Sequence, residues 1–401
     1  MNKEAKKTFG ISIILSLLVF SVYYSSGYFG ENTPKDKGKL VKIEEVKDLE
    51  EVFVQEVQDR GGIFAKFTAR AKEIVSKMTL NDKVGQMFLV RCPEENQLSL
   101  IKDCLPGGFL LSEKDFEGKS WQRVVGDVKS YQYTTKVPMF IAVDEEGGDV
   151  VRVSAFKEFR GFPFLSPQEI FLSDGFKGIE LDTAEKSQLL KRLGINLNFA
   201  PVCDVTTDEY AYMYDRSFGM DAASTATYVK TVVSSMTNNG MGSVLKYFPG
   251  YGNNRELDTL VFRDKRDLAT IDKNDLVPFR AGISEGAAGI LVSNLIVEGI
   301  DKENPASLSV DVHKLLRNNL EYQGVIIADA MDASDIAMFR NKKDFAVRAV
   351  KAGNDMIIVS NAKDQIRSVI DAVKDGEIPV SAIDAAATRI LSWKIMQGMV
   401  N

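Results

Sequence analysis

Lys246, Tyr247 and Tyr251 stand in the run Gly242-Ser243-Val244-Leu245-Lys246-Tyr247-Phe248-Pro249-Gly250-Tyr251-Gly252-Asn253-Asn254, which leads at once into Arg255, Glu256 and Asp258. A short apolar run that stops at a proline and passes into aromatics, glycines and asparagines reads as a buried strand opening into a shaped polar loop. Binding chemistry concentrates at such strand ends. A lysine there can project into a pocket as a fixed cation, and the tyrosines offer rings that stack on sugars or bases; an ordinary surface loop would carry the same residues. Asp144, Asp204, Asn294 and Asp329 end further apolar runs, with Arg152 and Arg216 on the loops that follow the first two. Carboxylates, a lysine and two arginines converging on one mouth suit a polyhydroxylated or anionic small molecule, and equally suit ion pairs at a rim.

Convergence requires a fold that gathers strand ends. Short apolar runs recur at 84–91, 107–112, 138–144, 195–205, 242–249, 287–294, 324–330 and 355–360. Stretches between them, among them 121–134, 181–193, 222–239 and 310–319, repeat apolar residues at helical spacing, and strands alternating with helices imply a parallel sheet. Eight such units predict an α/β chain folded as a (β/α)8 TIM barrel, closed by a last helix over 382–396, with its site at the carboxyl ends of the strands. A doubly wound open sheet is the alternative, but it more often carries a glycine-rich phosphate fingerprint after its first strand, and none follows 84–91.

The 401 residues carry a formal net charge of −6, which disfavours nucleic-acid binding because that asks for a basic face. The only histidine, His313, falls on the predicted helix 310–319, in a surface or capping role. No cysteine pair has ligand spacing, so neither a metal nor another cofactor is expected. Cys92 and Cys104 lie about a helix length apart, ~15 Å at roughly 1.5 Å per residue and beyond disulfide reach. With Cys203 they are expected to be free and mostly buried thiols. Residues 8–30 hold no charge and follow Lys3, Lys6 and Lys7, the pattern of a secretory signal or an uncleaved membrane anchor with the remainder outside the cytoplasm. Tyr23, Tyr24, Tyr28 and Phe29 favour the anchor, whereas Ser25 and Gly27 would serve a cleavage site. The expected order is a membrane or signal segment at 1–30, a charged stalk at 31–62 and the barrel at 63–401.

Over nearly all of 64–401 the chain resembles glycoside hydrolase family 3, in its β-N-acetylglucosaminidase branch, which acts on cell-wall and related amino-sugar glycosides. Met78-Thr79-Leu80-Asn81-Asp82-Lys83-Val84-Gly85-Gln86-Met87 is similar to the family's opening helix and first strand. Ile141-Ala142-Val143-Asp144-Glu145-Glu146-Gly147-Gly148 with Arg152 resembles its third-strand motif, and the resemblance implies that Asp144 and Arg152 contact the sugar. Residues 193–205 match the fourth strand, and Asp215-Arg216-Ser217-Phe218-Gly219 supplies a further sugar-binding arginine. In Gly324-Val325-Ile326-Ile327-Ala328-Asp329-Ala330-Met331 the resemblance makes Asp329 the nucleophile.

Two departures accompany these matches. Where the fifth-strand motif reads Lys-His-Phe-Pro-Gly, with a histidine that helps hold the sugar, Tyr247 stands here. Where an Asp-x-His pair supplies the general acid and base, this chain has Asp258, Thr259 and Leu260, and leucine cannot transfer a proton. Asp258 is then an alternative acid/base or the remnant of a dyad, with Glu256 its nearest rival. The implied function is a retaining glycosidase for β-N-acetylglucosaminide-type linkages with an altered proton donor, or else an impaired relative that binds a glycan or a protein partner.

Overall fold

Eight parallel strands close into a barrel in the order that the apolar runs predict. The computed structural model describes residues 62–255, 263–330 and 345–400; the membrane or signal segment expected at 1–30 and all but the last residue of the stalk expected at 31–62 lie outside the described residues, as do Glu256, Asp258 and Leu260. Helices α1 (Ala65–Ser76) and α2 (Leu80–Gln86) precede β1 (Phe88–Arg91). There follow α3 (Gln97–Cys104), β2 (Gly108–Leu111), α4 (Trp121–Thr134), β3 (Phe140–Val143), α5 (Pro167–Arg192), β4 (Leu197–Asn198), α6 (Ala222–Asn238) and β5 (Gly242–Phe248). Next come β6 (Arg263–Asp267), α7 (Leu268–Lys273), α8 (Leu276–Ser284), β7 (Gly289–Val292), β8 (Ile296–Gly299) and α9 (Val310–Lys314). The described chain closes with β9 (Val325–Ala328), α10 (Phe345–Ala352), β10 (Met356–Val359), α11 (Ala362–Lys374) and α12 (Val380–Met396). The barrel runs β1-β2-β3-β4-β5-β7-β9-β10 and back to β1, while β6 and β8 form a separate parallel pair.

Strands β2, β3, β7, β9 and β10 are buried at every residue, as expected where helices cover the outer face and side chains fill the inner one. The first run begins later than its apolar pattern suggested: residues 84–86 belong to α2, whose start is fixed by a capping box between Thr79 and Asp82. The run 195–205 holds only two regular strand residues. Cys203 lies beyond them but is wholly buried, Cys104 is buried and Cys92 is half-buried; all three are free. His313 is 1% exposed, with Nδ1 2.7 Å from the Ser309 carbonyl oxygen, which overturns the expected surface position. Its helix packs that face inward, against Gly353.

Helix α12 closes the amino-terminal end. Trp393 packs on Phe140, ring centroids 4.9 Å apart, and Lys394 donates to Gln86 Oε1 at 2.7 Å and to the Gly107 carbonyl at 2.9 Å. The carboxyl ends of the strands are thereby left as the face on which a site can form. Among the described residues no helix is long and apolar enough to cross a membrane.

Candidate active site

Register slips between β5 and β7 at Lys246/Phe248, an irregularity of the kind that re-aims side chains next to functional sites. Consecutive residues of a regular strand face opposite ways; here Lys246 and Tyr247 reach one charged cluster. Lys246 Nζ donates to Asp144 Oδ1 at 2.6 Å and to Glu146 Oε1 at 2.5 Å. Glu146 also accepts from Arg216, at 2.7 Å from Nη2 and 3.1 Å from Nε, and Arg216 Nη2 donates to the Tyr247 hydroxyl at 2.5 Å. The sequence reading passed over Glu146. Its signal was its place two residues after Asp144, which puts both on one side of an extended chain.

The loop after β3 is shaped by a neighbouring carboxylate. Glu145, wholly buried, accepts from the backbone N–H groups of Arg152 (2.8 Å), Val153 (2.7 Å) and Ser154 (3.1 Å) and from the Ser154 hydroxyl (2.5 Å). Its own main chain is clasped by the Asn198 side chain of β4 at 2.9 and 3.0 Å. Gly147, at φ 104°, turns the chain where a Cβ would meet the Leu165 carbonyl oxygen at 2.2 Å, so a larger residue is excluded. Arg152 is thus held at the rim, where Nη1 pairs with Glu113 at 2.5 Å.

Asp329 follows β9 directly, half-buried in the mouth, with Oδ1 accepting the Ala330 N–H at 2.7 Å. Burial raises its pKa above the usual carboxylate range; the Ala330 N–H, Lys246 and Arg91 oppose the shift and Asp144 adds to it. Arg91, at the end of β1, is a cation in this site that its position within an apolar run did not signal. Burial also works against ionisation of Asp144, but Lys246, Arg152 and Arg216 outweigh it and hold that carboxyl below its ordinary value. Tyr247 is pushed up to about 12, chiefly by burial. A cavity of about 960 Å³ opens beside Asp144 and Arg152, lined also by Arg91, Ser112 and Ser360.

Two strand-end residues serve other purposes. Asp204 is completely buried, its Oδ1 accepting the Tyr251 N–H at 2.5 Å, and burial pushes it up to about 7; it anchors the loop after β5. Asn294 donates to the Ala330 carbonyl at 3.0 Å and accepts from Ser307 at 2.5 Å, which ties down the chain after Asp329. Asp144, Arg216, Lys246 and Tyr247 are joined by hydrogen bonds, with Arg152 and Asp329 beside them. Among the described residues no cluster of histidine, cysteine and carboxylates could hold a metal ion.

A closed parallel barrel whose strand ends gather carboxylates and cations around an open mouth has the form of a small-molecule enzyme. The chain belongs to glycosyl hydrolase family 3: the model of that family's N-terminal domain matches residues 79–393. It is 28% identical over 339 residues to the beta-hexosaminidase LpqI of Mycobacterium tuberculosis, covering 80% of this chain and 84% of that one. Among solved structures, a family 3 β-N-acetylglucosaminidase from Paenibacillus sp. str. FPU-7 superposes with a TM-score of 0.74 at 26% identity, over 80% of this chain and 63% of that longer one. A β-N-acetylhexosaminidase from Beutenbergia cavernae DSM 12333 gives 0.70 at 28% identity, over 79% of this chain and 99% of its own.

Proposed function

We propose that this chain is a retaining glycoside hydrolase for β-N-acetylglucosaminide-type linkages of cell-wall or related glycans, held outside the cytoplasm by its 1–30 segment. The observation that carries the proposal is Asp329 at the end of β9, its Oδ1 fixed by the Ala330 N–H and its charge favoured by Lys246 and Arg91. Asp329 attacks the anomeric carbon as the glycosidic C–O bond breaks and the departing oxygen takes a proton; water then releases the sugar and regenerates the carboxylate. Asp144, Arg152, Arg216, Lys246 and Tyr247 orient the sugar by charge-assisted hydrogen bonds.

Leu260 at the position of the family's acid/base histidine makes proton transfer the slow element, with Asp258 the substitute nearest in sequence. A second reading, an impaired homologue that binds a glycan or a protein partner, is favoured by the internal pairing of Lys246 and Arg216 with Asp144, Glu146 and Tyr247. Turnover of a nitrophenyl β-N-acetylglucosaminide, measured beside the Asp329→Asn variant, separates the two. Hydrolysis abolished by the variant supports the enzyme, and the absence of both turnover and an adduct on Asp329 moves the assignment to the binding protein.

A further inference from the structure

Three tyrosine rings run in edge contact from the charged cluster to the surface. The Tyr247 and Tyr251 ring centroids are 5.9 Å apart, and those of Tyr251 and Tyr212 are 5.7 Å apart. Exposure grows along the row: Tyr251 is 9% exposed, Tyr212 42%, and Tyr210, two residues before it, 69%. The Arg255 guanidinium lies 5.4 Å from the centre of the Tyr210 ring. The loop bearing the outer rings is fastened to the loop after β5. Tyr212 N–H donates to the Asn254 carbonyl at 3.0 Å, and the N–H groups of Thr207 and Asp208 donate to Asn253 Oδ1 at 2.9 and 3.3 Å.

Large exposed rings held by a fastened loop, and joined through Tyr251 to a ring of the charged cluster, are the sort of apolar surface that marks a ligand groove. A tyrosine presents an apolar face and a polar tip, and a pyranose presents a face of C–H bonds and an edge of hydroxyls. The two match. Tyr212 stands two ring contacts, of 5.9 and 5.7 Å, beyond Tyr247, so the outer rings suit a ligand that extends past the sugar held at Asp144 and Lys246. We propose that Tyr210 and Tyr212 form an outer binding strip for the successive units of an oligosaccharide whose terminal sugar occupies the Asp144–Lys246 pocket. The ligand is then a glycan chain, an inference that rests on the glycan reading of the proposed function.

The test is calorimetric binding of N-acetylglucosamine and of its β-1,4-linked hexamer to the full chain carrying Asp329→Asn, which prevents turnover. The hexamer should bind more tightly than the monosaccharide, with each ring contributing about three- to tenfold. Tyr210→Ala with Tyr212→Ala should abolish that gain from chain length, and the paired Phe substitutions, which keep the rings, should retain most of it. Monosaccharide binding with no gain on lengthening, or a gain that survives both Ala substitutions, overturns the strip and leaves the proposed function standing. No binding of either sugar overturns both.

Discussion

The ammonium of Lys246 lies 2.5 Å from the carboxylate of Glu146, and the two side chains are 2% and 3% exposed. A pair removed from water to this degree holds together because each charge offsets the desolvation of the other. Glu146 also receives Arg216, and Lys246 also reaches Asp144, so the pair links the ends of β3 and β5 with the loop after β4.

Glu146→Gln should therefore destabilise the barrel. It keeps the shape and leaves Lys246 and Arg216 without their shared buried counter-charge, a loss of about 3 kcal/mol in urea unfolding. A loss below about 1 kcal/mol would place the cluster in contact with bulk water.

The rate should fall on the acid side at a pH above the usual carboxylate range. On the proposed mechanism Asp329 attacks only when ionised, and its pKa is raised, so kcat/KM should grow as pH rises through that raised value and be lost below it. Arg91→Gln removes one of the cations that favour the ionised form, and should move the acid limb higher still. A pH profile with an aryl glycoside, whose departure needs no proton, reads this limb; a limb at ordinary aspartate values in both proteins would contradict it.

Substrates should separate by their leaving groups. A dinitrophenolate departs without a proton whereas a sugar alkoxide does not, and general acid–base help is worth about 10²–10⁴-fold. On the proposed replacement of that histidine by Leu260, dinitrophenyl β-N-acetylglucosaminide should be cleaved measurably and the disaccharide hardly at all. Added azide should speed release of the covalent sugar on Asp329, and Leu260→His should raise disaccharide turnover. Comparable rates on both substrates would show that Asp258, Glu256 or another group donates the proton.

Lys394 should make stability depend on pH. Burial lowers its pKa from the ordinary 10.5 to about 7. Between those values the unfolded chain binds a proton that the folded chain does not. Its contribution is complete above about pH 10.5, declines by up to about 1.4 kcal/mol per unit as pH falls, and levels off below about 7. Lys394→Met leaves Gln86 Oε1 and the Gly107 carbonyl without this donor, so native exceeds variant most at high pH, and the gap narrows as pH falls. A gap constant with pH in denaturant titrations would show that the amine is charged in the fold.

Each of the eight apolar runs contains a barrel strand, because burial on both faces writes a parallel strand as a continuous apolar stretch whatever its neighbours are. Helical periodicity in the same way carried α4, whose bounds match the predicted 121–134, and α12, and the strand ends carried Asp144, Lys246 and Asp329. Polar segments at the rim carry no such signal. The pair β6 and β8, where Arg263–Asp267 is charged at every residue, arises from pairing partners 33 residues apart at Arg263 and Ile296. Distance in space also decided which polar residues act together. Glu146 became the centre of the cluster because a strand-register slip brings Lys246 and Tyr247 to it, and Asp204 turned inward because the loop after β5 lays the Tyr251 N–H against it. Residue types and spacing settle which groups could do chemistry, but a one-residue change in register reverses which face each occupies, and that is set by packing between strands remote in the chain.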